Sequence, residues 1–351
     1  VKFLVHFDEP VSGVDTADFA LAESISGTPT IGSGTAQGSD GSAYLVEVDL
    51  SSTTGSGTVQ LDLTAAGAAT IEDRAGNLAA ATTGEAYLVD RVLPTVSASK
   101  VPTADWVRLA DAPVIITFSS SDPLDNGVAS GVAAVHYTTS AGAGSTPADP
   151  RSTSTSSTGP NGSFGVNAAG VTRISYSALD GAGNWSDPQI IEVKLDGLAP
   201  ETTLAITGAA GSDPGANNYI GFAKLQFSAS DPVGDPAQQS GVVATWYTLD
   251  GSDPTDAGNP NRTAYDPVHP PIVRRDVPAG TVRFASMDAA GNVESPIKSV
   301  SFTITTHGPV FSGGVIATTC TTAPTGHMVS GTDVGAYIDA GCIELSANVT
   351  P

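Results

Sequence analysis

The chain is 351 residues long and carries 36 Asp and Glu against 14 Lys and Arg, a formal net charge of −22. Phosphate binding needs clustered basic side chains, and the 14 here are dispersed, so nucleic acid is excluded as a partner. No apolar run reaches the roughly 18 residues of a membrane-spanning helix, while an apolar content of 40% is enough for packed cores and excludes a disordered chain.

With 39 Gly and 24 Pro the chain is dense in turns. Short apolar runs broken by Gly, Pro, Asn and Asp, without sustained helical periodicity, predict an all-β fold of β-sandwiches, and the two Pro-stiffened linkers described below imply that they stand in an extended array. Residues 1–91 read as a first unit. Val1, Phe3, Val5 and Phe7 alternate with Lys2, Leu4 and His6, the pattern of a half-buried strand. Tyr44, Val46, Val48 and Leu50 alternate in the same way, as do Val59, Leu61 and Leu63, and a closing strand is expected at 86–89. Strands at this spacing suit a sandwich of about 100 residues.

Val89-Asp90-Arg-Val-Leu-Pro94 and Val193-Lys-Leu-Asp-Gly-Leu-Ala-Pro200 read as linkers, each passing from a strand through Asp to a Pro that stiffens the connection. Residues 92–196 and 197–305 repeat one another. Phe118-Ser-Ser-Ser-Asp-Pro123 matches Phe227-Ser-Ala-Ser-Asp-Pro232, and Ser130-Gly-Val132 matches Ser240-Gly-Val242. His136-Tyr-Thr138 matches Trp246-Tyr-Thr248, and Val171-Thr-Arg-Ile-Ser-Tyr176 matches Thr281-Val-Arg-Phe-Ala-Ser286. Each repeat is one sandwich. Residues 306–351 are too few for another and form a β tail. The tail holds both cysteines, Cys320 and Cys342. Paired, they would add roughly 3 kcal/mol by closing the loop between them and would indicate an oxidising location; unpaired, they would be two buried thiols.

Asp-x-Ala-Gly-Asn occurs three times, as Asp73-Arg-Ala-Gly-Asn77, Asp180-Gly-Ala-Gly-Asn184 and Asp288-Ala-Ala-Gly-Asn292. Gly in fourth place suits a hairpin tip that needs positive φ, with Asp and Asn bonding to nearby backbone; the other readings of the motif are a calcium ligand or a partner contact. The stretch Phe7-Asp-Glu-Pro-Val-Ser-Gly-Val14, followed by Asp18-Phe19 and Asp73-Arg-Ala-Gly-Asn77, resembles the bacterial Ig-like modules of surface proteins, those of S-layer proteins among them. Asp8 stands where such modules commonly have Ser. Tyr247-Thr-Leu-Asp-Gly-Ser-Asp-Pro-Thr255 is similar to the Ig-like domain at the C-terminus of chitobiase and β-hexosaminidase enzymes, an accessory module without catalytic residues. Both resemblances imply fold and an extracellular or cell-surface setting, not hydrolysis. The chain starts at Val1 without an initiator Met or a signal-like stretch, which is expected of a mature product or a fragment with its export signal upstream.

Catalytic chemistry finds little footing. The five His are spread over separate units, no Gly-x-Ser-x-Gly elbow accompanies them, and no phosphate-binding loop is present. Calcium wants several oxygen ligands. The candidates are Asp122, Asp125 and Asn126 in the second unit, Asp231 and Asp235 in the third, and Asp90 and Asp196 in the linkers. The plain alternative is a turn, which Asp before Pro starts, as at Asp122, Asp231 and Asp235. Sugars stack on exposed rings, so Trp106, Trp185 and Trp246 are the residues to consider for glycan binding.

One irregularity separates the first unit from the others. The second and third have a first strand near 95–98 and 203–206 and a second strand, at 114–118 and 224–227, ahead of Ser-Asp-Pro. In the first unit the strand at 1–7 already occupies the second place, so Phe3, Val5 and Phe7 are expected to line an unpaired edge. The tail ends on an amphipathic stretch in which Ile343, Leu345, Ala347 and Val349 alternate with Glu344, Ser346 and Asn348. Given by one subunit to the next, it would build a head-to-tail homopolymer; the alternatives are that the sequence begins part-way through a sandwich, or that this stretch pairs with the third unit of its own chain. The expected role is therefore a non-enzymatic structural protein whose partners are itself or other surface proteins, with a glycan-binding or spacer region of a secreted hydrolase, or an adhesin stalk, as the alternative.

Overall fold

The computed structural model describes residues 1–305 apart from 38–40, 153–154 and 233–238. The tail with Cys320, Cys342 and 343–349, and Asp235, lie outside the described residues. The fold is all-β, in tandem Ig-like sandwiches. Among the described residues two compact units are formed, one over 1–197 and one over 198–305.

The first unit holds two sandwiches. The strands of the first are β1 (Lys2–His6), β2 (Val11–Ser12), β3 (Phe19–Glu23), β4 (Thr30–Gln37), β5 (Ala43–Asp49), β6 (Gly57–Leu63), β7 (Glu72–Asp73) and β8 (Ala86–Val89). Sheet β1-β5-β4 faces sheet β3-β6-β8, and β2 pairs with β7. Val46, Val48, Val59 and Leu61 point inward from the alternating stretches and are buried with Phe19, Ile25 and Val89. Strand β4 runs through Ile31-Gly-Ser-Gly-Thr-Ala36, where composition alone suggests a loop. Its backbone pairs with β5 across a bulge between Ile31 and Gly34, so ladder hydrogen bonds and not side-chain burial set its conformation.

The second sandwich comprises β9 (Thr95–Val101), β10 (Trp106–Arg108), β11 (Val114–Ser121), β12 (Val132–Ala141), β13 (Ser156–Thr158), β14 (Ser163–Val166), β15 (Gly170–Asp180) and β16 (Gln189–Asp196). Sheet β14-β11-β9 packs on β10-β16-β15-β12-β13. Strands β9 and β11 run past the expected ends at 98 and 118, because Ser99, Lys100 and Val101 pair with Thr117, Ile116 and Ile115, and Ser119, Ser120 and Ser121 with Ser97, Val96 and Thr95. Phe118 is the hub of the core, with ring centroids 6.0 Å from Tyr137, 6.0 Å from Phe164 and 5.2 Å from Tyr176. Full burial of a side chain of this size contributes about 1.5–3 kcal/mol.

The second unit repeats this plan with β17 (Glu201–Thr207), β18 (Asn218–Ile220), β19 (Ala223–Ser230), β20 (Val242–Thr248), β21 (Thr263–Ala264), β22 (Ile272–Val273), β23 (Val277–Asp288) and β24 (Lys298–Thr305). Sheets β17-β19-β22 and β18-β24-β23-β20-β21 enclose Leu225, Phe227, Val282, Phe284 and Phe302. Even the bulge at Val132 and Ala134 recurs at Val242 and Ala244. Shared irregularities of this kind are what an internal sequence repeat implies.

Candidate metal centre

The Asp-x-Ala-Gly-Asn tips close in one way at all three places. In the second, Asp180 Oδ1 accepts from the backbone N–H of Ala182 at 2.9 Å and of Asn184 at 2.7 Å, and Asn184 Nδ2 donates to Asp180 Oδ2 at 2.8 Å. Asp73 is held in the same way by Ala75 and Asn77; Asp288 is held by Asn292 likewise, with the Gly291 N–H in place of that of Ala290, which donates to Ser240 Oγ. An isolated bridge flanks each tip, Glu72–Leu78, Leu179–Trp185 and Met287–Val293. Gly183 sits at φ +97°, with open space where a Cβ would project, so conformation alone selects Gly there. The motif is thus a sealed hairpin tip that presents its Asp at a fixed place.

In the first unit the tip meets two further carboxylates. One ligand atom from each of Asp90, Asp122 and Asp180 lies within 4.8 Å of the other two. Asp90 follows β8 in the linker, Asp122 follows β11, and Asp180 ends β15, so the group forms where the two sandwiches join. Asp90 and Asp180 are buried. Among the described residues no Lys, Arg or His forms an ion pair with any of the three.

The three carboxylates are satisfied to different degrees. Asp90 Oδ2 accepts from the Ser130 N–H at 2.7 Å and Oδ1 from the Val92 N–H at 3.0 Å. Burial pushes the Asp90 carboxyl up, but its hydrogen bonds with Ser130 and Val92 together outweigh that and hold it below the usual range. Asp122 goes the other way. Burial raises its carboxyl, the Gly131 N–H at 2.8 Å pulls against this, and the charges of Asp90 and Asp180 raise it further. Its second oxygen, Oδ1, is buried without a hydrogen-bond partner. An oxygen-only cluster with a spare carboxylate oxygen fits a hard divalent cation such as calcium.

Two other sequence candidates serve the joint differently. Asp125 Oδ2 accepts from the Ser56 N–H at 2.8 Å, and Asn126 Nδ2 donates to the Ser24 carbonyl and, at 3.5 Å, to that of Ser56. Arg91 supports the same loop from the linker, with Nη1 3.2 Å from the Thr53 carbonyl and 3.0 Å from that of Gly55. Asp125 and Asn126 therefore clasp the neighbouring sandwich and stand outside the carboxylate cluster. Asp125→Ala is expected to weaken this clasp by about 1 kcal/mol, which makes the Ser56 amide exchange roughly fivefold faster. Amide hydrogen exchange measures it.

In the second unit Asp231 follows β19, as Asp122 follows β11, and its Oδ2 accepts from the Gly241 N–H at 2.7 Å. A carboxylate oxygen of Asp231 lies within 4.8 Å of one from Asp288. Asp196 ends β16 fully buried. Asp180 and Asp288 were not named among the individual calcium candidates and entered the sequence reading only through their motif, for which a calcium ligand was one of the alternatives to a hairpin tip.

The aromatic candidates for glycan binding have partners on their rings. The Arg262 guanidinium lies 3.8 Å from the Trp246 centroid, the His136 ring meets Trp185 edge-on at 4.9 Å, and Lys194 lies 5.9 Å from the Trp106 centroid. No described helix is long and apolar enough to cross a membrane.

No protein-family model and no curated protein matches the chain. Among solved structures, the chain is similar to the fibronectin(III)-like modules of Clostridium thermocellum CbhA, at 16% identity over 60% of this chain and 95% of that one, with a TM-score of 0.30. It is similar to a structure described as giving insight into host cell surface retention of a 1.5-MDa bacterial ice-binding adhesin, at 13% identity over 88% and 98%, with a TM-score of 0.34. A Ca2+-stabilized adhesin that helps an Antarctic bacterium bind ice follows at 15% identity over 86% and 74%, with a TM-score of 0.29.

Proposed function

We propose that the chain is a non-enzymatic spacer of an extracellular or cell-surface protein, built of Ig-like sandwiches, with calcium stiffening the joint at Asp90, Asp122 and Asp180. The observation that carries this reading is the buried Asp122 Oδ1, which has no hydrogen-bond partner beside two further carboxylates and no basic side chain. Like charges this close repel strongly at low local dielectric. A divalent ion would offset that repulsion and tie linker, loop and hairpin tip to one point, which is what a load-bearing joint needs. Calorimetric titration of the full chain with calcium chloride tests it. Saturable binding is expected, and its absence would remove the reading.

A second reading adds head-to-tail assembly into a surface filament or lattice. An apolar groove beside β1, lined among others by Phe3, Val5 and Tyr87, favours it. A glycan-binding role has less support, since the tryptophan rings already carry partners.

A further inference from the structure

The hairpin that clasps the first sandwich carries a reactive pair at its tip. Asp125 and Val128 close the hairpin, the Asp125 N–H donating to the Val128 carbonyl at 3.0 Å and the Val128 N–H to the Asp125 carbonyl at 2.9 Å. Asn126 and Gly127 form the tip at φ +51° and +77°, the conformation for which a two-residue hairpin favours Asn-Gly. Both are exposed. Gly127 has open space where a Cβ would project, so no side chain of its own shields its backbone nitrogen.

Asn-Gly is also the pair most prone to cyclise. The Gly nitrogen attacks the side-chain carbonyl carbon of Asn, the bond from that carbon to Nδ2 breaks, and ammonia leaves a succinimide ring. Water opens the ring at either carbonyl, to aspartate or to isoaspartate, whose main chain then runs through Cβ. The chain holds two such pairs, and they differ in what conversion removes. Asn161 uses its oxygen, Oδ1 accepting from the Ser120 N–H at 3.2 Å, and aspartate keeps an oxygen there. Asn126 uses its nitrogen, Nδ2 donating to the Ser24 carbonyl and, at 3.5 Å, to that of Ser56. Aspartate has no donor to replace it. Its carboxylate would face two carbonyl oxygens, beside the Asp125 carboxylate that holds the Ser56 N–H at 2.8 Å.

We propose that Asn126 is a deamidation site gated by the clasp. While its amide is held on Ser24 and Ser56, the side-chain carbon is kept off the Gly127 nitrogen. Reaction therefore starts from molecules in which the two sandwiches have parted at this point, and the product keeps them parted. The joint loosens with age in one direction only. The loop of the third sandwich, Asp231-Pro-Val-Gly-Asp-Pro-Ala-Gln-Gln-Ser240, contains no Asn-Gly, so this ageing belongs to the joint of the first unit alone. The inference needs no ion and is independent of calcium binding.

The full chain, kept in mildly alkaline buffer and sampled over days, tests this by peptide mass spectrometry at residues 126 and 161. In urea both sites should convert at similar rates. In the folded chain Asn126 should convert about tenfold more slowly than in urea, with aspartate and isoaspartate still accumulating. Arg91→Ala should return about tenfold of that rate and leave Asn161 unchanged. Arg91 holds the Thr53 and Gly55 carbonyls and lies far in sequence from the reacting pair, so it acts through the open fraction alone. Hydrogen exchange on Asn126→Asp, which mimics the product, provides a second measurement, and its Ser56 amide should exchange about tenfold faster than in wild type. An Asn126 that stays unconverted in the folded chain while Asn161 converts would overturn the site. Conversion as fast folded as in urea, or unmoved by Arg91→Ala, would overturn the gating. An unchanged Ser56 amide in Asn126→Asp would overturn the effect on the joint.

Discussion

Asp122→Asn is expected to raise the melting temperature of the calcium-free first unit and to abolish the further rise that calcium produces. The side-chain oxygen of Asn still accepts the Gly131 N–H that now lies 2.8 Å from Asp122 Oδ2. What disappears is a charge held near those of Asp90 and Asp180. Relief of such a like-charge contact is on the order of 1 kcal/mol, or about 2–4 °C for a unit of this size. In the native protein, calcium at one hundred times its dissociation constant adds about 2.7 kcal/mol, which corresponds to roughly 5–10 °C. Scanning calorimetry in calcium and in chelator reads both effects. The pH dependence has a sign too. Asp122 is raised in the folded state, so the calcium-free protein binds the proton more tightly folded than unfolded, and its stability rises as the pH falls towards that raised value. Asp90 is lowered, so its contribution is present at neutral pH and lost only at still lower pH. A variant that melts below wild type in chelator and keeps its full calcium response would rule out the site.

The sheets were largely legible because their inner faces alternate. Val114, Ile116 and Phe118 stand on one face of β11 in the sequence and in the core alike. Short strands such as β10, β13 and β18 were not legible, since three residues carry no period and their place depends on the neighbour they pair with. Two of the three carboxylates of the joint could be read as well. Asp90 was visible as a linker carboxylate and Asp122 as Asp before Pro. Asp180 was visible as the first residue of a hairpin tip, with a calcium ligand or a partner contact as the motif's other readings, and its hydrogen bonds with Ala182 and Asn184 bear the tip out. Its second role arises because β8, β11 and β15 end at one point, and no local pattern encodes that. Asp125 and Asn126 were grouped with Asp122 because they follow it closely, but Asn126 at φ +51° turns the chain and both side chains reach Ser56.

Phe118→Ala is expected to weaken the second sandwich by about 3–5 kcal/mol, a large part of the 5–15 kcal/mol that holds a typical domain together. Phe118 is 1% exposed and touches Tyr137, Phe164 and Tyr176, so its removal leaves a cavity among stiff rings with little freedom to collapse. The effect should extend beyond the core. Strand β11 runs from Phe118 directly to Asp122, and the loop after it carries Asp125 and Asn126. Loosening β11 therefore loosens one carboxylate of the cluster and the clasp on Ser56 together. Calcium affinity should fall although Asp90, Asp122 and Asp180 are all retained, and the Ser56 amide should exchange faster while those of Val46 and Val48, in the core of the first sandwich, stay slow. Calorimetric titration and hydrogen exchange on the same variant decide it. Unchanged calcium affinity in a sandwich shown to be loosened would mean that the joint does not depend on the core beneath it. The Phe118–Tyr176 contact ties β11 to β15, the two strands that lead to Asp122 and Asp180, which is why the cluster should register a loss in the core.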